Sequence, residues 1–354
     1  MKRVFLTSIP KCGTHLLLAF LQNLGWVRSR CDTTGYGKSL SEFLRLREQF
    51  GPEHDDEEMR TLRAAVTSGR DQLLNHLRQV PPNGVVAEHC IYDEALLSAL
   101  RELDYQVIFM MRDPRDQLIS YRNHALREPG HKNFDRFKRQ ERQTTYRDLL
   151  AGSPSERDGE SNIAPVTRVY SQFERWLDAP GVHVMAFEHL VGAKGNGSRL
   201  RQLFEADELA RRIAPEPETD LDEGLRTMFD EKHTLFVRGQ CGVWREEFGP
   251  EACQAFETLV RPGVQRYLDR IESSPAALDL YSMDPRNLRR VWRMAERDLA
   301  AALAACYVAR ANVTNLERLL ATAHADANER LKVIRRLESR LAAQRGPAAP
   351  SASQ

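Results

Sequence analysis

Apolar residues fall along this chain in short bursts separated by longer amphipathic stretches. Residues 3–9 (RVFLTSI) are β-branched and apolar, residues 10–14 break the run, and residues 15–24 resume it with Leu and Ala at helical spacing. That order predicts strand, tight turn, helix. Residues 38–50 and 56–79 carry charge with helical periodicity and read as flanking helices. Residues 85–87 form a short apolar strand ending at Glu88-His89, and residues 93–103 read as a helix. The continuous apolar run at 107–111 (VIFMM) is the pattern of a central parallel strand buried on both faces. It stops at Arg112-Asp113-Pro114, where a helix starts with Pro in its first turn and carries Leu118, Ile119 and Tyr121.

Further on, residues 127–163 are polar, with a GSPSERDGES stretch, and are expected to be a mobile loop or lid. Residues 169–177 read as helix, 182–187 as strand, 198–213 as helix, 214–224 as a Pro- and Asp-rich linker, and 251–271 as the last helix of the globular part. Strands alternating with helices imply an α/β chain with a doubly wound parallel sheet. Residues 287–345 contain no Pro or Gly. Val313, Leu316, Leu320, Ala323 and Ala327, then Leu331, Ile334, Leu337 and Leu341, follow 3–4 spacing. This predicts a long helical arm that is either a coiled coil or folded back on the domain, with Trp292, Met294 and Leu299 packing on the core in the second case. The expected division is a domain at 1–284, a helical extension at 285–345 and a disordered tail at 346–354.

Composition narrows the function classes. Of 354 residues, 42 % are hydrophobic and 29 % charged, so a buried core is expected and global disorder is not. Lys and Arg number 51 against 50 Asp and Glu, which removes any net-charge argument for nucleic acid or an acidic membrane. An anion site must therefore come from local geometry. The six cysteines are scattered without a CxxC pair, which fits reduced thiols in a cytoplasmic protein and no zinc cage. The apolar run at the N-terminus is too short for a signal peptide, and no window approaches a membrane span.

Three motifs carry candidate chemistry. In Ile9-Pro10-Lys11-Cys12-Gly13-Thr14-His15 a strand passes through a Gly turn into a helix. Backbone N–H groups and the helix dipole there suit a phosphate or sulfate, with Lys11 adding charge and Thr14 a hydroxyl. The pattern is not a Walker A loop, since Lys precedes Gly. In the second motif Arg112 ends the apolar strand and Ser120 lies eight residues on, two turns into the next helix, so both can reach one phosphate. The third, Arg238-Gly239-Gln240-Cys241-Gly242-Val243-Trp244, reads as a loop closing over an anionic, planar ligand. Taken singly, each also fits a structural role: an ordinary βα turn, an Arg paired with Asp113 or Asp116, and a turn with a core Trp.

Together, and in this order across residues 3 to 270, the motifs resemble the sulfotransferases that use 3′-phosphoadenosine 5′-phosphosulfate (PAPS). The Pro10 to His15 segment is similar to that family's PKSGTTW phosphosulfate loop, Arg112 to Ser120 to its 3′-phosphate motif, and Arg238 to Trp244 to its RKGxxGDW-like loop. The resemblance implies a three-layer, P-loop-like α/β fold and PAPS as co-substrate without metal. It implies that Lys11, Cys12, Gly13, Thr14 and His15 hold the 5′-phosphosulfate, that Arg112, Ser120, Arg238 and Gly239 hold the 3′-phosphate, and that Phe187 lies by the nucleotide. His89 aligns with the catalytic histidine, with Lys11 assisting the leaving group. Departures from the pattern are Cys12 for Ser or Ala, His15 for Thr, Leu16 for an adenine-stacking Trp, Phe187 for Tyr, and Glu88 before His89 where Thr is usual. The expected partner is a hydroxyl-bearing acceptor such as a glycan, with no nucleic acid, and a second copy or another protein on the helical arm. The competing readings are a P-loop nucleotide kinase and a non-catalytic PAP-binding module whose arm mediates assembly. The missing Walker pair weighs against the first, and the presence of both His89 and Lys11 against the second.

Overall fold

A computed structural model describes residues 2–30, 36–51, 53–155, 162–214, 221–229 and 239–272, with Arg310, Val313, Thr314, Asn328, Lys332 and Arg335 of the C-terminal region. The chain divides into two compact units, Met1–Asn287 and Leu288–Gln354. The six described residues of the second unit are helical. The expected coiled-coil seam, the core contacts of Trp292, Met294 and Leu299, and the tail lie outside the described residues, as does Arg238.

Five strands form one parallel sheet: β1 (Arg3–Ser8), β2 (Val27–Arg28), β3 (Gly84–Glu88), β4 (Tyr105–Met111) and β5 (Val182–Ala186), in the order β2-β3-β1-β4-β5. β1 and β4 are the central strands, and both are almost wholly buried, as continuous apolar runs require. Helices α1 (Thr14–Asn23), α2 (Tyr36–Phe50), α3 (Glu57–Gln79), α4 (Glu94–Glu102) and α5 (Pro114–Ala125) connect them. Register places Thr7 beside Glu88 and Ser8 beside Met110, so the carboxyl ends of β1, β3 and β4 finish side by side. The chain leaves β1 toward the β2–β3 edge and returns to β4 on the other side, which opens a crevice at those strand ends.

The caps explain where the helices begin. Asp56, Asp93 and Asp113 accept hydrogen bonds from Met59, Ala95 and Arg115 N–H at the starts of α3, α4 and α5. α1 differs: its N-cap is Gly13, with no capping side chain and no acidic residue in the first turn. A helix start without an acidic cap keeps the partial positive charge that favours an anion.

The segment 127–163 departs from the expected loop. It contains α6 (Phe134–Arg139) and α7 (Arg142–Ala151), closed by a bridge between Ser153 and Ile163. Phe137, Tyr146, Leu149 and Leu150 are buried in the main core. Among its described residues five apolar side chains, these four on the two short helices and Ile163 beyond them, anchor it in the core, too few to stand out in so polar a stretch. Arg136 is fully buried, and its guanidinium donates to Asp148 Oδ2 (2.7 Å), Pro154 O (2.9 Å) and Ser153 Oγ (2.6 Å). A buried cation so placed acts as a pin.

The expected helix at 169–177 is two pieces, α8 (Val166–Ser171) and a 3₁₀ turn (Glu174–Leu177). β5 stops at Ala186, and Phe187 begins α9 (Phe187–Leu190), followed by α10 (Arg199–Ile213). Part of the expected linker is α11 (Leu221–Thr227). After α12 (Trp244–Glu247), the last predicted helix is α13 (Pro250–Ala255), a π-type stretch (Phe256–Val260) and α14 (Arg261–Glu272). Arg136→Ala, which takes the paired cation from Asp148 and leaves it the Gln140 amide, is expected to lower unfolding free energy by about 3 kcal/mol in urea titrations. A loss within about 0.5 kcal/mol would mean that the 127–163 segment is not integral to the core.

Candidate active site

The crevice is built from the turn that follows β1. Lys11 and Gly13 both have positive φ (72° and 96°), which curls residues 10–14 into a tight loop. Gly13 has no room for a side chain: a Cβ there would lie 2.5 Å from the Phe187 ring and 3.0 Å from Met110 Cε. Such a loop aims successive N–H groups toward one point. The Cys12 side chain turns the other way, into the core, where burial pushes its thiol pKa well up. Cys12 N–H is occupied by Ile9 O (3.2 Å), so its contribution is to the shape of the loop.

His89 is held from behind. Its Nδ1 lies 2.9 Å from the carbonyl oxygen of Ser8 and 3.1 Å from Ser8 Oγ, which in turn is 2.6 Å from Thr14 Oγ1. A carbonyl only accepts, so Nδ1 carries the proton and Nε2 presents its lone pair. The rest of the residue is exposed on the cavity side. Desolvation first, and then Lys11, hold the His89 pKa below its ordinary value, against the Ser8 hydrogen bond. Lys11 is lowered to about 8, mainly by desolvation. Glu88 is raised to about 7 by burial, opposed by Arg28.

Arg112, only 8 % exposed, joins the strand ends together. Its Nη2 donates to Gln240 O (2.7 Å), its Nη1 lies 3.5 Å from Lys11 O, and its guanidinium carbon sits 4.1 Å from the Phe187 ring centre. Arg112 is hydrogen-bonded to neither Asp113 nor Asp116 among the described residues. Asp113 is taken by Arg115, which pairs with it at 2.9 and 2.7 Å and lies between the rings of Trp244 and Phe256. Asp116 instead accepts from Gly242 N (2.5 Å) and Trp244 N (2.9 Å), and so clamps the late Gly loop to α5. Gln117 Nε2 donates to Pro10 O (2.9 Å), tying α5 to the first loop as well.

One cavity of about 280 Å³ collects these groups. Lys11, Gly13, Thr14 and His15 line it from the first loop, Arg112 and Ser120 from β4 and α5, and Phe187, Gly239 and His89 from the other strand ends and the late loop. Every described residue among those predicted from sequence meets there except Cys12, whose side chain is turned away. Sequence reasoning did not place Ser8, Asp116, Gln240 or Arg28 in the site. Ser8 is the penultimate residue of the strand expected at 3–9, and nothing in the linear order ties it to a histidine 81 residues on. In the sequence Asp116 reads only as a partner for Arg112, because nothing in the linear order joins it to a turn at Gly242. Gln240 acts through its carbonyl, which leaves no side-chain signature, and Arg28 sits on a strand of only two residues.

The sequence matches the model of the sulfotransferase domain over residues 1–192. The chain belongs to the sulfotransferase family, enzymes that draw their sulfuryl group from PAPS. Among solved structures it is similar to a mouse sulfotransferase complexed with PAP, at 14 % identity over 76 % of this chain and 87 % of that one, with a TM-score of 0.47. It is also similar to retinol dehydratase, seen with androsterone and PAP and with retinol and PAP. Both of those matches have 16 % identity over 75 % of this chain and 82 % of the other, with TM-scores of 0.38 and 0.39. No curated protein matches the chain. No helix among the described residues is long and apolar enough to cross a membrane.

Gly13→Ala combines a left-handed backbone with a collision against Phe187. It is expected to weaken binding of adenosine 3′,5′-bisphosphate (PAP) by about 100-fold, roughly 3 kcal/mol, by calorimetry. An unchanged dissociation constant would remove the loop from the anion site.

Proposed function

We propose that this protein transfers the sulfuryl group of PAPS to a hydroxyl of an acceptor, with His89 Nε2 as general base. The observation that carries the reading is the anchored imidazole. Nδ1–H is fixed on the Ser8 carbonyl at 2.9 Å, and the same Ser8 hydroxyl contacts the first residue of the anion-binding helix. The base and the sulfur donor are therefore indexed to one residue, as in-line transfer requires. The 5′-phosphosulfate would lie on residues 11–15 against the α1 N-terminus. The 3′-phosphate would lie at Arg112 and Ser120, with Gly239 and Arg238 closing over it, and the Phe187 ring would flank the nucleotide. No metal is needed in this scheme, because Lys11 and backbone donors meet the charge.

In the transfer the acceptor O–H gives its proton to Nε2, the acceptor oxygen bonds to sulfur, and the bond from sulfur to the bridging phosphate oxygen breaks. Lys11 neutralises charge on that oxygen, and PAP is the leaving group. A lowered His89 pKa keeps the base unprotonated at neutral pH and below its ordinary value. We take the acceptor to be polar, such as a glycan hydroxyl. His131, on the segment beyond α5, feels the field of Lys11, and Arg127 and Lys132 beside it are exposed. We assign residues 1–284 to catalysis and 285–345 to a helical extension for self-association or a partner. The compact unit Met1–Asn287 supports that division. A cytoplasmic location remains our reading of the scattered cysteines.

The test is calorimetric titration with PAP against 5′-ADP without added metal. The expected result is a strong preference for PAP that is lost in Arg112→Ala. Equal binding of the two, or binding of ATP with Mg²⁺ instead, would contradict the reading. His89→Ala is expected to reduce kcat by about 10²–10⁴ with PAP affinity nearly unchanged, measured by single-turnover transfer once an acceptor is found. Retained kcat would exclude the histidine base. In wild type kcat/KM should fall on the acid side as His89 protonates, below its ordinary pKa. It should fall on the alkaline side as Lys11 loses its charge near pH 8. An alkaline limb unchanged in Lys11→Arg would contradict the assignment to Lys11.

A further inference from the structure

Beneath the cavity lies a buried carboxylate that the transfer chemistry does not use. Glu188, on α9 directly after Phe187, accepts Asp113 N–H through Oε1 (3.0 Å). Its Oε2 is buried and has no hydrogen-bond partner among the described residues. The Nε of Arg112 is likewise buried without one. The two side chains interact electrostatically, and the Arg112 guanidinium lies on the ring of the residue preceding Glu188. An unmatched acceptor and an unmatched donor thus stand at one junction, behind the face of Arg112 that opens on the cavity.

Charge balance gives this junction a consequence. Arg115 and Asp113 neutralise each other as a bidentate pair. Asp116, whose pKa burial raises against the opposing pull of Arg112 and two backbone N–H groups, already answers the charge of Arg112. The other titratable groups facing Glu188 are Cys12 from the first loop, Tyr170 from α8 and Cys241 from the late loop, all with pKa values pushed up by burial and therefore neutral near pH 7. An ionised Glu188 leaves this described cluster one negative charge in excess. A phosphate dianion brought to Arg112 would meet a guanidinium already shared by two carboxylates.

Resting on the nucleotide site proposed above, we propose that Glu188 is the positioning residue that sets Arg112 for the 3′-phosphate, and that it takes up a proton from solvent when that phosphate binds. Protonation leaves Arg112 matched by Asp116 alone and frees its attraction for the ligand. Burial already raises Glu188 to about 7 in the free protein, and a nearby phosphate raises it further. By linkage, affinity for the 3′-phosphate is greatest below that free value and falls as pH rises through it, by up to tenfold per pH unit.

The test is calorimetry of the full chain with PAP and with 5′-AMP, at pH 7.5 and 8.5, in two buffers of different ionisation heat. The 5′-phosphate and its effect on Lys11 are common to both ligands, and the 3′-phosphate is itself almost fully ionised in this range. Wild type should take up more protons with PAP than with 5′-AMP, and its preference for PAP should drop several-fold between the two pH values. Glu188→Gln, which keeps the acceptor for Asp113 N–H, should abolish both effects and bind PAP about tenfold more tightly than wild type at pH 8.5. A PAP preference with equal proton uptake for the two ligands in wild type would overturn the role of Glu188 and leave the nucleotide site standing. So would a pH dependence that persists in Glu188→Gln. No preference for PAP at either pH would overturn the nucleotide site, and this proposal with it.

Discussion

The site depends on one buried guanidinium. Arg112 ends the central strand β4 and reaches the carbonyl oxygens of Lys11 and Gln240 while lying on the ring of Phe187. Those three residues belong to the turn after β1, the late Gly loop and the end of β5. Loops of this kind have few apolar residues with which to hold each other. A cation with several donors in a fixed fork can bridge their carbonyl groups where packing cannot. Desolvating it is costly, and the neighbouring carboxylates of Asp116 and Glu188 offset that cost.

That arrangement also explains why acidic residues cluster around a pocket proposed to take anions. Asp113 starts α5 and holds Arg115, Asp116 fastens Gly242 and Trp244, and Glu188 fastens the backbone at Asp113. Each carboxylate is engaged by backbone N–H or guanidinium, and the helix after the first loop starts with no acidic residue. The cavity lining carries Lys11, Thr14, Arg112 and Ser120 with the carboxylate of Asp116, while Asp113 and Glu188 stay out of it. Low local polarity in turn shifts the groups at the front: Lys11 is lowered to about 8 and His89 below its ordinary value.

Much of this was legible in the sequence, for physical reasons that differ by element. The runs at 3–9 and 107–111 are apolar because central parallel strands are covered on both faces, so they could be read without any partner information. The loop at 10–14 was legible because a Gly between a strand and a helix has few other uses. The two helices within 127–163 were not legible. Their anchoring rests on Phe137, Tyr146, Leu149 and Leu150 together with the buried Arg136, and an arginine reads as surface until its partners are known. The roles of Asp116 and Ser8 depend on contacts with Gly242 and His89, more than eighty residues away in each case, and no local pattern encodes such pairings. Glu88 and Glu188 are alike in sequence as acidic residues closing an apolar strand, but only the fold separates one that faces Arg28 from one that backs Arg112.

The central claim, that the crevice at the ends of β1, β3 and β4 is a PAPS site with His89 poised at the sulfur, is tested most directly by a crystal structure with PAP bound. The 5′-phosphate is expected on residues 11–15 with His89 Nε2 facing it across open space, and the 3′-phosphate within hydrogen-bond distance of Arg112 and Ser120. A nucleotide bound elsewhere, or bound in this crevice with its 3′-phosphate remote from Arg112, would contradict it.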